Sequence, residues 1–387
     1  MLITTRLYLC VNLDVTLVFR IQFEYRIIGG ITAMPVISDA SLDGRNHFVD
    51  FLRGLAAINI VLIHTAFWSG MEYVPVWFEN ITLLLDVPMF FFIAGWAFSY
   101  SSSFEKSLMN VFRTHLKYTI FLALYTITIF IFHRAELSAI GIVESFFFVF
   151  PAEELFFPVV RGSIWFLPIF YGVSALSSGA IVLVNRLSPD WKTAGRILRM
   201  ITVAILFLFA YLSLGHQFAV LNQTLLFYTF FFMFGYLGKD IAMSRNWQLA
   251  IVLSVLLAGI GAFFFHHNGK LPDLQQCKFP PTPLYLLVSL IGVAIVLRIK
   301  QFIHVSKQNI VTWVGQNAIY FYLAQGVSSS ILFFVIPLFP AIPWYLMFLI
   351  CAAINLAGTF AIALLLKSLG DPADRFFAKL TARHADT

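Results

Sequence analysis

The residues best placed to do chemistry sit in one apolar stretch, DFLRGLAAINIVLIH, which carries Asp50, Arg53, Asn59 and His64. Ionisable groups inside a membrane-length apolar run are costly, so each is a functional candidate. Arg53 and His64 are eleven residues apart, which on a helix is three turns plus about 20°. Both therefore project from one face, about 16 Å apart along the axis. An imidazole takes and returns protons near neutral pH, and a guanidinium binds phosphate or carboxylate through charge-assisted hydrogen bonds. Each residue also has a plain structural explanation. Arg53 can be an anchor at the membrane edge paired with Asp50, three residues earlier. His64 can be a buried interhelical hydrogen-bonding group. Gly54, Ala56 and Ala57 between them are small and permit close packing around a groove.

Further polar groups punctuate later apolar runs. Asp86 lies in LLLDVPMFFFIAGW, a run that Pro88 and Gly95 are expected to interrupt. Asp86 either orients and charge-balances His64 or sits solvated near the headgroups. Trp165 is either an interface aromatic or a binding residue. Gln325 and Asn355 suit interhelical hydrogen bonding. No His, Cys, Asp or Glu accompanies His64 at metal-ligand spacing, and no metal site is expected. The three cysteines, Cys10, Cys277 and Cys351, show no CxxC pattern and no sign of a disulfide framework.

The elements that carry these groups follow from composition. Of 387 residues 60% are hydrophobic and 11% charged, with a mean hydropathy of +0.86. That excludes a soluble enzyme, a disordered chain and a fibrous repeat. A bilayer core needs about 20 apolar residues per crossing. Ten segments qualify: 50–70, 80–100, 114–133, 163–185, 197–215, 220–238, 247–267, 282–299, 314–336 and 342–367. The expected fold class is all-α, a polytopic membrane protein with about ten transmembrane helices. The shorter stretch Leu137–Phe150 rests at the interface or re-enters. Residues 1–34 read as an uncertain N-terminal extension with the true start at Met34, residues 45–367 as the membrane domain, and 368–387 as a short tail.

Charge sets the expected orientation. Eighteen Lys and Arg residues fall in alternate loops and the tail, including Arg113, Lys117, Arg196, Lys307 and Arg375. Only Arg134, Arg161, Lys270 and Lys278 fall on the opposite side. The positive-inside rule then places both termini in the cytoplasm. The same rule explains the net charge of +6 without a nucleic-acid partner.

With these residues in view, HFVDFLRGLAAINIVLIHT resembles the first span of the acyltransferase 3 family of integral membrane acyltransferases. VPMFFFIAGW is similar to its second-span signature, with Ala94 where Ser is commoner. SIWFLPIFY, KFPPTPLYLL and WVGQNAIYFYLAQG resemble further family segments, with Gln325 where a histidine is frequent. Nothing in the chain resembles the SGNH hydrolase domain fused to some members. The resemblance implies transfer of an acyl group, with acetyl-CoA the expected donor, to a hydroxyl on a cell-envelope glycan or other small acceptor. It implies a multi-pass protein of a bacterial inner membrane, surrounded by lipid, with acyl-CoA as co-substrate and no bound cofactor. On this reading His64 and Asp86 are the catalytic candidates. Arg53, Asn59, Arg113, Lys117, Trp165 and Gln325 are the substrate-binding candidates, with His115 beside the donor phosphates. The acceptor is expected near Glu153, Glu154, Arg161 and the Lys278–Tyr285 loop. A transporter or flippase of a lipid-linked glycan is the alternative; it would bring inverted repeats and charge-lined paths.

Overall fold

The computed structural model describes residues 46–68, 70, 72–132, 138–148, 157–188, 190–215, 220–238, 246–300, 302–303, 305, 307–339 and 342–383. The readings of residues 1–34, Glu153 and Glu154 fall outside them. The described residues are helical, with no strand beyond one isolated bridge, Lys278 to Pro281. Seven helices or helix pairs are long and apolar enough to cross a membrane. They are α1 (His47–Phe67), α2–α3 (Val76–Thr82 and Val87–Ser101), α4 (Phe104–Phe132), α6–α7 (Pro158–Ile164 and Phe166–Leu187), α8 (Trp191–Gly215), α13 (Ala318–Val335) and α14 (Trp344–Arg383). The rest are α5 (Ala139–Phe146), α9 (Val220–Gly238), α10 (Asn246–Asn268), α11 (Pro283–Ile299) and α12 (Ile310–Gln316).

The hub is α1, packed against α3, α12, α13 and α14. Asn46 caps it by accepting from the backbone N–H groups of Phe48 and Val49 at 3.0 and 3.2 Å, which satisfies two orphan donors. Its amide also donates to Tyr100 Oη at 2.8 Å, tying the start of α1 to the end of α3. In a bilayer, helix association depends on close van der Waals contact, so small residues mark the crossings. A Cβ on Gly54 would stand 1.9 Å from Val311 O, and one on Gly315 would stand 1.8 Å from Asp50 O. The α1–α12 contact is thus backbone against backbone. Gly54 closes this crossing instead of leaving a groove.

Gly95 of α3 and Gly235 of α9 make a reciprocal contact of the same kind, each 1.9 Å from the other helix's carbonyl oxygen once given a Cβ. Gly95 therefore does not interrupt its helix, contrary to the sequence expectation; α3 runs unbroken from Val87 to Ser101. The real break lies upstream. After α2 the chain tightens into a 3₁₀ turn, Leu83–Leu85, and Asp86 is extended (φ −84°, ψ −168°) before Pro88 starts the next helix. Proline lacks an N–H and suits a first helical turn, where that donor would be unsatisfied anyway.

The stretch around α5 folds back along α4. Tyr118, in the middle of α4, donates to Ser145 O, and the Phe148 ring lies 4.9 Å from the Tyr118 ring. The tip of α5 therefore reaches about 20 Å below the far end of α4. Two further boundaries differ from expectation. The third crossing helix starts at Phe104, and α14 continues through Pro372 to Arg383.

Candidate active site

Two groups of side chains lie at different heights along α1. At the lower end Arg53 Nη1 is 3.2 Å from Asp50 Oδ1, and Gln316 Nε2 donates to the other Asp50 oxygen at 3.3 Å. The Arg53 side chain keeps 29% of its surface exposed while making the Asp50 pairing expected from spacing. Ala57, on the same stripe, packs in a cluster with Val160, Ile164 and Leu323. The Arg53–His64 stripe thus faces protein at Ala57, and α13 is among the helices packed on α1.

At the upper end the His64 ring stacks on Trp68, centroids 6.0 Å apart with 20° between planes. Trp68 in turn lies against Gly162 of α6, where a Cβ would meet the indole at 2.4 Å. His64 Nδ1 is buried and has no hydrogen-bond partner. His64 as a whole is half-buried within the bundle. It is therefore not the hydrogen-bonding strut that its plain explanation required. An unpaired imidazole nitrogen inside a protein carries an unmet desolvation cost, which marks it as a functional candidate.

Asp86 is 1% exposed, which overturns its reading as a headgroup-solvated carboxylate. Lys278 Nζ lies 2.8 Å from Asp86 Oδ2 and 3.0 Å from Oδ1, and Tyr285 Oη donates to Oδ2 at 2.5 Å. Lys278 itself is 5% exposed. It was expected as a loop charge and is instead half of a buried ion pair. His64 lies within electrostatic reach of both members, though Asp86 makes no hydrogen bond to it. Tyr228, fully buried, stacks on Phe91 and faces Tyr285 and Asp86. Trp165 sits at the α6–α7 junction, 4.7 Å from Phe279 between ring centroids, with Lys278 Nζ 5.6 Å from its own. It borders the ion pair and does not belong to a lipid-facing belt.

Local structure explains how these groups converge. Asn59 donates from its amide to Thr82 O at 2.7 Å and Leu85 O at 3.2 Å. These carbonyls lose helical partners at the break, so α1 staples the break that presents Asp86. Asn59, a predicted substrate contact, has its amide hydrogens committed to this staple. Gly292 of α11 lets that helix approach Leu84 O, where a Cβ would be 1.8 Å away. Thr282 caps α11 by accepting from Tyr285 N at 3.3 Å, which sets Tyr285 in the first turn beneath Asp86. Asn80 holds the loop that bears Lys278, donating to Pro272 O at 2.9 Å and accepting from Leu274 N at 3.1 Å.

The other predicted contacts are dispersed. Arg113 Nε and Lys117 Nζ lie 3.3 and 3.5 Å from the two Asp374 oxygens on the extended end of α14. Tyr320 bonds Asp371 at 3.0 Å, and Lys367 pairs with the same carboxylate. His115 is ringed by Tyr118, Phe146, Phe148 and Tyr171, an aromatic enclosure. Arg161 is exposed on α6. Asn355 joins helices as expected, donating to Val61 O at 3.3 Å and to Thr65 and Ser329 hydroxyls at 2.9 Å. Gln325 does not: it is 1% exposed and neither end of its amide has a partner.

The fold and site define a multi-pass membrane protein that encloses an imidazole, a buried ion pair and a row of polar groups within one helical bundle. Residues 46–364 match the acyltransferase domain known as Acyl_transf_3, and the chain belongs to this family of membrane acyltransferases. No curated protein and no solved structure matches the chain.

Proposed function

We propose that this acyltransferase moves an acyl group, acetyl in the simplest case, from acyl-CoA to a hydroxyl of a cell-envelope glycan or other small acceptor. The observation that carries the proposal is the enclosed Arg53–His64 stripe on the hub helix. It ends in a histidine whose Nδ1 is unpaired, within electrostatic reach of a buried ammonium. The phosphates of the donor lie at Arg53, and its thioester reaches His64 about 16 Å along the axis. The His64 imidazole takes the acceptor's hydroxyl proton as the oxygen attacks the thioester carbonyl. The Lys278 ammonium, held by Asp86 and Tyr285, offsets the negative charge of the tetrahedral oxyanion. The intermediate expels the CoA thiolate, which recovers the proton from the imidazolium.

In this reading α9, α10 and α11 also cross the bilayer, giving ten spans with both termini and Arg53 in the cytoplasm of a bacterial inner membrane. The acceptor then arrives from the opposite side, over the loop bearing Lys278. The test uses membrane vesicles supplied with radiolabelled acetyl-CoA and no ion gradient. Label entering the envelope fraction, absent with His64→Ala, supports the proposal. Equal labelling by the variant would remove His64 from the mechanism. Glycan mass spectrometry with and without the gene then identifies the acceptor from the missing acyl mass.

A further inference from the structure

We infer that the Gln325 side-chain amide reads an amide of the donor's pantetheine arm, midway between the phosphates at Arg53 and the thioester at His64. The inference rests on the proposed acyl-CoA donor and deepens it. A buried amide with both its oxygen and nitrogen unpaired is rare, because each lost hydrogen bond carries a desolvation penalty. Gln325 has both, at 1% exposure in the protein interior.

Its direction follows from its neighbours on α13. Phe321 and Ser328 face α14, meeting Phe360 and Asn355 O. Tyr322 and Gly326 face α6, at Ser163 and Val160. At about 100° per residue, Gln325 falls between these two faces. On that side Ser329, one turn further on, meets Asn355, which reaches Val61 and Thr65 of α1. Gln325 therefore points into the seam where α13 and α14 meet α1.

Its height follows as well. Gly315, just before α13, abuts Asp50, while Ser329 is linked to the level of Val61 and Thr65. Gln325 lies about 6 Å back towards Arg53, near the level of Ala57 to Val61 on α1. That is about 7 Å short of His64. An extended pantetheine arm spans about 15 Å from sulfur to phosphate, with its two amides about 4 and 9 Å from the sulfur. A carboxamide can donate to one carbonyl and accept from one N–H, so it complements either amide. Asn59, the other amide at this height, is committed to backbone carbonyls.

The test compares Gln325→Met with wild type. Methionine keeps the volume and removes the polar atoms, so the unfolding midpoint is expected to hold or rise, since no protein partner is lost. Equilibrium binding of CoA is expected to weaken about tenfold. In transfer assays the variant is expected to lose about tenfold in kcat/KM with acetyl-CoA and acetyl-pantetheine, and nothing with S-hexyl thioacetate, which has no amide. Arg53→Ala should discriminate differently, impairing acetyl-CoA and sparing acetyl-pantetheine, which lacks the CoA pyrophosphate. A lowered midpoint, or an equal loss with all three thioesters, would make Gln325 structural and overturn the assignment. Failure of wild type to bind CoA would overturn the donor reading itself, and the assignment with it.

Discussion

The Asp86–Lys278 pair gives the sharpest test of how the site is held. Lys278→Met leaves the Asp86 carboxylate at 1% exposure with the Tyr285 hydroxyl but without its counter-ion. Breaking a buried pair from one side typically costs about 3–5 kcal/mol, because the remaining charge stays desolvated. Replacing both partners with neutral groups of similar size is often neutral or stabilising. The double variant Asp86→Asn/Lys278→Met should therefore unfold close to wild type, while each single variant unfolds well below it. Activity should not follow stability. Removal of a preorganised oxyanion stabiliser costs about 10²–10³ in turnover, so both Lys278→Met and the double variant should lose that much. The assays are fluorescence-monitored thermal unfolding in detergent and label transfer from acetyl-CoA at matched protein amounts. Single variants with unchanged midpoints would refute the buried-pair reasoning. A double variant with wild-type turnover would refute the oxyanion role.

Asn59→Leu leaves Thr82 O and Leu85 O without their donors, and a loss of about 1–3 kcal/mol in stability is expected from thermal unfolding. Turnover should fall with little change in KM for the donor, because Asn59 acts through the placement of Asp86. Gly95→Val should abolish a monodisperse peak in size-exclusion chromatography, because its Cβ would lie 1.9 Å from Phe232 O. Normal elution would contradict the backbone contact between α3 and α9. Asp374→Asn removes the carboxylate charge beside Arg113 and Lys117 and should lower KM for acetyl-CoA, with no change for acetyl-pantetheine. An unchanged KM would make that cluster purely structural.

The half of the site on α1 was legible in the sequence because one helical period suffices to align Arg53 with His64. The membrane class was legible for a different reason: composition alone demands it. The Lys278–Tyr285 loop reads in the sequence only as an acceptor region; that both residues reach Asp86, across separations of 192 and 199 residues, was not legible. The prolines that follow Lys278 mark a loop, and the pattern does not say that this loop turns inward. Pro88 signalled a break in the second run but not its position, which Asn59 fixes from another helix. Gly95 looked like a second interruption because a glycine that lowers helix propensity and one that admits a neighbouring backbone read alike. Gln325 and Asn355 also looked alike, and only the packed bundle separates the amide with partners from the amide with none.

Central to the whole account is a donor stretched along one face of α1 with its reacting carbon at His64. The most direct test is transfer of label from radiolabelled acetyl-CoA into the envelope fraction by vesicles carrying wild type or His64→Ala at equal abundance. The account predicts incorporation by wild type and background counts from the variant. Equal incorporation by both would contradict it.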